Sequence, residues 1–404
     1  MWKGISPVEP PVLMGPGPAQ LPWRVVRAMM RPGESHLDPA FNEGVLDRTL
    51  QRLREVFGTR NEIFAVPGSG RVALESAVTS VVEPGDPVLC VVAGVFGDWI
   101  REMAGRVGGD VTVFEVGHGQ PIDLERLTRA AQERRFKALT MVHNETSTGT
   151  TYPAGDVGRI ARALGLLFMV DTVSSISGIE VRSDDWGMDT NMTAPEKALG
   201  TPIGLALVSV SPRAWEVMEA RKRPATSFSY DLLRWKQMWL PKARGGGADD
   251  GNRRTPIVLP IHLVYALQEA VDIVSEEGLP KRFARHHLAG RAFRSAVRAM
   301  NLSLLPREDM ASDTVSCIRL PEGISAKPVT AHVRSHHNII IGGGMGSLTD
   351  TTLRVGHMGV TASAQYVLPA VTALEAALAA NGHRFGRGEG IKAAQEVFEE
   401  DSDP

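Results

Sequence analysis

The sequence predicts an α/β protein whose mostly parallel sheet carries helices on both faces. Short apolar runs typical of buried strands alternate with segments whose apolar residues have helical spacing. The strand runs are 87–93, 111–116, 137–143 and 166–171, and the helical segments are 71–82, 98–107, 124–135 and 155–165. A length of 404 residues favours two unequal lobes over one core.

The chain divides into an arm, two domains and a tail. The first 20 residues are rich in proline and glycine, which predicts an extended arm. The segment 260–277 predicts a long helix that leaves the first lobe and enters the second. We therefore expect an arm over 1–20, a large domain over 21–272, a smaller α+β domain over 273–390 and an acidic, frayed tail over 391–404.

Composition excludes several classes of protein. Forty-four Lys and Arg balance 46 Asp and Glu, so nothing supports a nucleic-acid partner. The cysteines, Cys90 and Cys317, lie in apolar runs, which predicts buried thiols in a reducing compartment with no disulfide and no zinc or other metal site. No signal peptide and no apolar run near about 18 residues is evident, so we expect a cytoplasmic protein that does not span a membrane.

The loops that follow the strands are the candidates for function, because ligands bind at the carboxyl ends of parallel strands. The turn Gly68-Ser69-Gly70-Arg71 precedes a helix and suits a phosphate group, with a plain tight turn as the alternative. In the loop 94–99, glycines flank Phe96. Its ring would either stack on a flat ligand or plug the core.

Three further segments complete the pattern. The polar loop 143–149 favours a binding loop over a simple Ser/Thr turn. Asp171 ends an apolar strand, so it either caps a turn or meets a cationic ligand nitrogen. Lys197 alone would be a solvated lysine. Together, these groups match the needs of pyridoxal phosphate: an amine for a Schiff base, a carboxylate for the pyridine nitrogen, a stacking ring and a phosphate cradle.

The chain resembles the class V, fold-type I pyridoxal-phosphate aminotransferases, within them the alanine–glyoxylate and serine–glyoxylate group. Among its motifs, HNETSTG and RVGHMG are specific, whereas GSG and GPGP are not. The likeness is carried by GPGP (15–18), HLDPAF (36–41), GSG (68–70), HNETSTG (143–149), VDTVSS (170–175), EKALGTPIGLA (196–206) and RVGHMG (354–359). The resemblance implies a seven-stranded sheet in the large domain, a smaller C-terminal domain and a homodimer with a shared active site.

The resemblance also implies a role for each site residue. Lys197 forms the Schiff base, and Asp171 faces the pyridine nitrogen. Phe96 stacks on the cofactor ring, and Thr146 lies beside the ring oxygen. The remaining positions are the phosphate binders Ser69, Gly70, Arg71 and Thr255, the last near the neighbouring subunit's phosphate, and the substrate binders Arg354 and Gly17.

One departure from the family pattern concerns charge. Glu196 stands where Gln is usual, and a carboxylate repels a phosphate unless it is compensated. We hypothesise that Arg71 and the pair Arg253-Arg254 supply the compensating charge. The side chains Arg253, His336 and His337 fit the surface better than the pocket.

The reaction that this resemblance implies is transamination through a Lys197 Schiff base. A small amino acid of the alanine or serine type would be the donor, and glyoxylate or pyruvate the acceptor. The first alternative is pyridoxamine–pyruvate aminotransferase, which takes free pyridoxamine. In that relative a glutamate-bearing loop replaces the phosphate loop, and a second arginine lies near the substrate carboxylate. Gly68–Gly70 and Met345 occupy those places here and favour the phosphorylated cofactor.

Two other readings stay open from the residues alone. The same scaffold supports other pyridoxal-phosphate reactions, such as those of lyases and decarboxylases, because fold does not determine chemistry. A non-catalytic cofactor-binding regulator would need an appended DNA-binding domain, for which a 20-residue arm leaves no room.

Overall fold

In the computed structural model, which describes residues 10–249 and 251–400, a seven-stranded sheet forms the centre of the large domain. The strands in chain order are β1 (Val12–Leu13), β2 (Glu62–Gly68), β3 (Pro87–Val92), β4 (Asp110–Glu115), β5 (Ala138–Val142), β6 (Asn144–Glu145), β7 (Thr150–Thr151), β8 (Leu167–Asp171), β9 (Thr190–Thr193), β10 (Gly204–Val210), β11 (Ser303–Leu304), β12 (Val315–Arg319), β13 (Ile339–Ile340), β14 (Gly342–Gly343) and β15 (Thr352–Gly356).

Fourteen α-helices are formed by the described residues. They are α1 (Trp23–Ala28), α2 (Pro39–Phe41), α3 (Arg48–Phe57), α4 (Gly70–Val81), α5 (Val95–Arg106), α6 (Leu124–Gln132), α7 (Ala154–Ala163), α8 (Pro212–Glu219), α9 (Leu232–Trp239), α10 (Ile261–Glu277), α11 (Leu279–Ala299), α12 (Ala326–His337), α13 (Ala364–Ala380) and α14 (Glu389–Glu400). A π-helix spans Asn42–Asp47, and short 3₁₀ turns span Lys242–Arg244, Glu308–Met310, Gly346–Leu348 and Gly359–Thr361.

The large sheet confirms the predicted parallel architecture. Its strand order is β2-β10-β9-β8-β5-β3-β4. Only β10 runs antiparallel to its neighbours, so the remaining six strands present their carboxyl ends at one edge. Every residue of β5 and β8 is buried because helices cover both faces, which explains their continuous apolar runs.

The smaller C-terminal part is built on a four-stranded antiparallel sheet of order β11-β12-β15-β14. Its apolar cluster is separate from that of the large sheet and includes Phe293, Val329 and Leu374. Helix α10 follows the predicted limits and α11 continues from it after Gly278. The predicted boundary at residue 272 falls inside α10, and the domain limits stay a prediction.

The described part of the arm connects the two sheets. Strand β1 pairs in parallel with β13, and the carbonyl of Met14 accepts a hydrogen bond from Gly356 N at 2.7 Å. Farther along, Ala19 N donates to the Glu196 carbonyl at 2.9 Å. The arm therefore reaches from the small sheet to the segment that holds the candidate lysine. Residues 1–9 of the predicted arm lie outside the described residues.

The prediction of a frayed tail over 391–404 is wrong for residues 391–400. Those residues form most of α14, whose apolar side chains Ile391 and Ala394 pack against α11 and α13. The Glu375 carboxylate accepts hydrogen bonds from Gly388 N at 3.0 Å and Gly390 N at 2.8 Å, which satisfies backbone groups at the helix start. The prediction followed the acidic composition of the segment and overlooked the apolar residues at helical spacing within it. Residues 401–404 lie outside the described part.

Within the described ranges, no helix is both long and apolar enough to cross a lipid bilayer.

Candidate active site

A cavity of about 430 Å³ opens where the strands of the large sheet end. The loops after β2, β3, β5, β8 and β9 all contribute to its wall. Most of the predicted site residues meet here. Those lining it are Gly17, Ser69, Gly70, Arg71, Phe96, Thr146, Asp171, Glu196 and Lys197.

The turn before α4 forms one wall of the cavity. Ser69 is the N-cap residue of α4, and its side chain makes no capping hydrogen bond. A Cβ on Gly70 would lie 2.9 Å from Val173 Cγ2, so a side chain at this position would need its neighbour to move. Backbone N–H groups at a helix start attract anions, and glycine lets a ligand approach them closely.

A second wall is aromatic. Phe96 and Trp99 pack edge to face with ring centroids 5.0 Å apart, and the Arg71 guanidinium lies 5.0 Å from the Trp99 ring centroid. The buried Glu145 carboxylate accepts hydrogen bonds from Phe96 N and Gly97 N, each at 3.2 Å. These bonds join the aromatic turn to the polar loop 143–149.

Asp171 ends β8 at the bottom of the cavity and is 3% exposed. Val173 N donates to its Oδ1 at 2.8 Å. Burial raises the pKa of Asp171 to about 7, and the nearby Glu145 contributes to the rise. Within the described residues, no salt bridge engages Asp171, so the carboxyl is held without a cationic partner.

Lys197 faces the same cavity from the loop after β9. Its Nζ donates to the carbonyl oxygen of Pro16 at 2.5 Å. Burial lowers the pKa of Lys197 to about 8, and the Arg354 charge acts in the same direction. An amine with this pKa is partly unprotonated near neutral pH. Gly17 packs so closely on Lys197 that a Cβ there would overlap the lysine side chain.

Arg354 lies behind the cavity wall on β15 and is 7% exposed. Its Nε donates to the Gly343 carbonyl at 2.8 Å and its Nη1 to the Thr146 carbonyl at 3.4 Å. None of the salt bridges in the described chain involves this guanidinium. Burial lowers its pKa. A buried guanidinium without a carboxylate partner is suited to an anionic ligand.

Glu196 lies beside the Gly70 turn, with its carboxylate facing the cavity. Its Oε1 is 3.4 Å from Gly70 N, which donates to it. Its Oε2 is buried without a hydrogen-bond partner in the described residues. Burial raises the pKa of this carboxyl.

Two predicted site residues, Arg354 and Thr255, do not line the cavity in this chain. Thr255 donates its hydroxyl to the Ile257 carbonyl at 2.7 Å and lies away from the cavity wall. The expectation that Arg253 lies on the surface is wrong: it is 5% exposed and its Nη2 donates to Asp47 Oδ1 at 3.0 Å. Its charge is therefore already matched inside the chain. His336 is exposed and His337 is half-buried, as predicted for surface side chains.

The structure adds four side chains that sequence reasoning did not select. Trp99 lies one helical turn after Phe96, and this spacing would have placed it on the same face. Asn144 and Ser174 line the cavity and hydrogen-bond to each other at 2.8 Å. Glu145 is the carboxylate of the polar loop, but nothing in the sequence points to its backbone partners fifty residues earlier.

Comparison with known proteins identifies the family. The chain matches the family model Aminotransferase class-V over residues 12–355, and it belongs to that family. It is 32% identical to the serine–glyoxylate aminotransferase of Methylorubrum extorquens over 96% of each chain. The match confirms the predicted class V aminotransferase.

Solved structures give the same result for the fold. The structure of ureidoglycine–glyoxylate aminotransferase from Bacillus subtilis matches with a TM-score of 0.91 and 32% identity, covering 98% of this chain and 100% of that one. Pyridoxamine–pyruvate aminotransferase from Mesorhizobium loti matches with a TM-score of 0.91 and 28% identity over the same shares. The fold-type I architecture is thereby confirmed.

Proposed function

We propose that this aminotransferase uses pyridoxal 5′-phosphate to move an amino group between a small amino acid and a small 2-oxo acid. The donor is of the alanine or serine type, and the acceptor is glyoxylate or pyruvate. One observation carries the proposal: the Lys197 amine and the Asp171 carboxyl line one cavity, and the Arg354 guanidinium lies directly behind its wall, hydrogen-bonded to the carbonyl of the lining residue Thr146. The activities of the glyoxylate-using relatives support the acceptor.

The residues present fit this cofactor. The turn at Ser69 and Gly70 offers backbone N–H groups to a phosphate, and Phe96 offers a ring face. Asp171 is a buried carboxyl that would pair with a cationic nitrogen, and Lys197 supplies an amine. The cavity volume lies in the usual range for small-ligand sites, about 300–1,000 Å³.

When bound, the cofactor supplies an aldehyde that takes up the amino group and a ring that accepts electrons from the substrate Cα. Lys197 Nζ removes the proton from the substrate Cα and later returns a proton, acting as general base and acid. Its lowered pKa suits both roles near neutral pH. Asp171 holds a proton on the ring nitrogen, which keeps that ring able to accept electrons.

Arg354 binds the substrate carboxylate and fixes the position of its Cα. The two hydrogen bonds to the Gly343 and Thr146 carbonyls orient the guanidinium and leave further N–H groups for the ligand. Met345 and Ile203 line the same cavity. This apolar lining favours a small, uncharged substrate side chain over a second carboxylate.

The proposal includes a homodimer with a shared site. Two large apolar side chains are exposed, Ile203 on the cavity wall at 53% and Val258 on the segment after Thr255 at 65%. Contiguous exposed apolar surface marks association sites in soluble proteins. Thr255 lies close to Val258 in sequence, so a second copy that covers this surface would present Thr255 to the neighbouring cavity. The free, buried cysteines support residence in the cytoplasm.

The dimer is tested by Val258→Lys, with Val113→Lys as the control. Val113 is 45% exposed on the edge strand β4. Light scattering after size exclusion should show a dimer for the parent and the control, and a shift towards monomer for Val258→Lys. A monomeric parent protein would contradict the shared site.

The function is tested by a donor-by-acceptor screen on the purified protein, with its visible spectrum recorded. The cofactor absorption should bleach with L-alanine or L-serine and return with glyoxylate or pyruvate. The matched control is Lys197→Ala, which removes the amine and should abolish turnover. Full turnover by Lys197→Ala would refute the catalytic assignment.

The same screen separates the rival activities. Purification without bound pyridoxal phosphate, together with turnover of free pyridoxamine, would favour a pyridoxamine–pyruvate activity. Ammonia release without an acceptor would favour a lyase. Either result would replace the proposed transamination.

A further inference from the structure

The carboxylate of Glu196 has an unsatisfied oxygen beside the turn at Ser69 and Gly70, which suits a phosphate. Glu196 is 6% exposed and lines the cavity together with Ser69, Gly70 and Arg71. Oε1 accepts from Gly70 N, the first N–H of α4, at 3.4 Å. Oε2 is buried and has no partner among the described residues. A ligand atom that donates a hydrogen bond would satisfy it.

A phosphate at this helix start would put two anions in contact. The repulsion requires either a cation or a proton between them. Neither candidate cation acts on the Glu196 carboxyl within the described residues. Arg253 pairs with Asp47, and Arg71, which also lines the cavity, has its guanidinium over the Trp99 ring.

The other charged groups around Glu196 do not neutralise the repulsion between the carboxylate and a phosphate. Lys197 is the charge that acts on the Glu196 carboxyl in the described residues, and its amine donates to the Pro16 carbonyl. Asp171 lines the same cavity and is itself acidic. A proton is the remaining means of neutralising the pair.

We propose that Glu196 Oε2 and the cofactor phosphate share one proton, so that the phosphate is held as its monoanion. The proton comes from solvent or is already carried by either partner, and no covalent bond forms or breaks. The inference rests on the proposed cofactor. Burial, which raises the pKa of Glu196, acts in the required direction. Gln at this position would donate an N–H instead and would accept a dianion.

The consequence is a pH-dependent affinity. The second pKa of a phosphate ester is about 6. Above the pKa values of both free groups, binding must take up one proton, so the affinity falls about tenfold for each pH unit. A site with an amide in place of the carboxyl has no such requirement.

The test compares the parent apoenzyme with Glu196→Gln, using pyridoxamine 5′-phosphate as the probe. This probe has no aldehyde, so it forms no covalent bond with Lys197. Dissociation constants are measured by calorimetry between pH 6 and 9. We expect the ratio of the parent's constant to the variant's to rise about tenfold per unit in the alkaline half of this range.

Phosphorus NMR of the parent complex supplies a second readout that does not depend on the variant. At pH 8 the bound phosphate should show the chemical shift of a monoanion. Parallel pH profiles for the two proteins, or a dianionic shift, would overturn the shared proton while leaving the cofactor assignment intact. Failure of both proteins to bind the probe would overturn the cofactor assignment itself.

Discussion

Replacing Asp171 with Asn should make the apoenzyme more stable at alkaline pH while strongly reducing its activity. Burial raises the pKa of Asp171 from 3.8 to about 7. Because the folded pKa lies above the unfolded one, the folded state binds more protons between these values. The stability of the parent protein therefore falls as pH rises from about 4 to about 7.

The magnitude follows from the pKa change. One pKa unit corresponds to 1.36 kcal/mol, so at pH 8 the ionised carboxylate costs about 4 kcal/mol. At pH 5 the cost is only about 1.5 kcal/mol. Asn keeps an oxygen for Val173 N but buries an NH₂ group, at a cost of about 1–3 kcal/mol that does not change with pH. Relative to the parent, the variant gains about 2.5 kcal/mol between pH 5 and pH 8.

The assay is urea unfolding of the two apoenzymes at pH 5, 6, 7 and 8, followed by tryptophan fluorescence. Asp47→Asn is the matched control: burial acts to raise the pKa of Asp47, but its hydrogen bonds and charge pairs with Arg253 and Arg244 outweigh burial and lower that pKa. The stability that such a group contributes is present above its unfolded pKa of 3.8 and is lost only below it, so the control difference should stay flat from pH 5 to 8. Transamination by Asp171→Asn should fall by about two orders of magnitude or more. A pH-independent stability difference for this variant would refute the reasoning.

The remaining predictions concern the lysine, the arm and the last helix. The rate at which the apoenzyme takes up pyridoxal phosphate should rise with pH through an inflection near pH 8, the pKa of Lys197. Arg354→Met should move this inflection to higher pH, because it removes a neighbouring positive charge. An inflection near pH 10 in the parent protein would contradict this assignment. Gly17→Ala should slow that uptake more than tenfold because its Cβ overlaps Lys197, whereas Gly15→Ala, whose Cβ has its nearest atom at 3.9 Å, should leave the rate unchanged. Deleting residues 389–404 should lower the urea midpoint and leave the cofactor affinity within about twofold, since α14 packs on α11 and α13 and contributes no residue to the described cavity lining; an unchanged midpoint would count against that packing.

Much of the fold could be predicted because its signals are periodic and local. The run 166–171 is apolar up to its last residue, Asp171, because β8 is covered on both faces, and the helical segment 155–165 coincides with α7 within two residues. The failure at α14 has the opposite cause. Its apolar stripe is short and lies among acidic residues, so composition outweighed periodicity.

The candidate site could be predicted only where a functional side chain directly follows a strand. Asp171 and Phe96 could be predicted in this way, because the carboxyl ends of the parallel strands meet at one edge of the sheet. The role of Arg354 is predicted only from the family resemblance, because its strand β15 belongs to the other, four-stranded sheet. The hydrogen bonds of Glu145 to Phe96 N and Gly97 N, and that of Lys197 to the Pro16 carbonyl, involve backbone groups that carry no sequence signal.

The perturbed groups of the site share one physical logic. Burial raises the pKa of Asp171 to about 7 and lowers that of Lys197 to about 8, so each is pushed towards its neutral form. Each would be relieved by a ligand of matching chemistry: a protonated ring nitrogen for Asp171 and a carbonyl carbon for Lys197. The Arg354 guanidinium, which has no carboxylate partner among the described residues, would likewise pair with the carboxylate of a ligand. Charges that destabilise the folded chain thus become favourable contacts on binding, and a ligand that binds only the folded state raises its stability by mass action. Under the proposed function, the site would therefore favour a ligand that pairs with all three groups at once, as an amino acid together with a pyridine ring would.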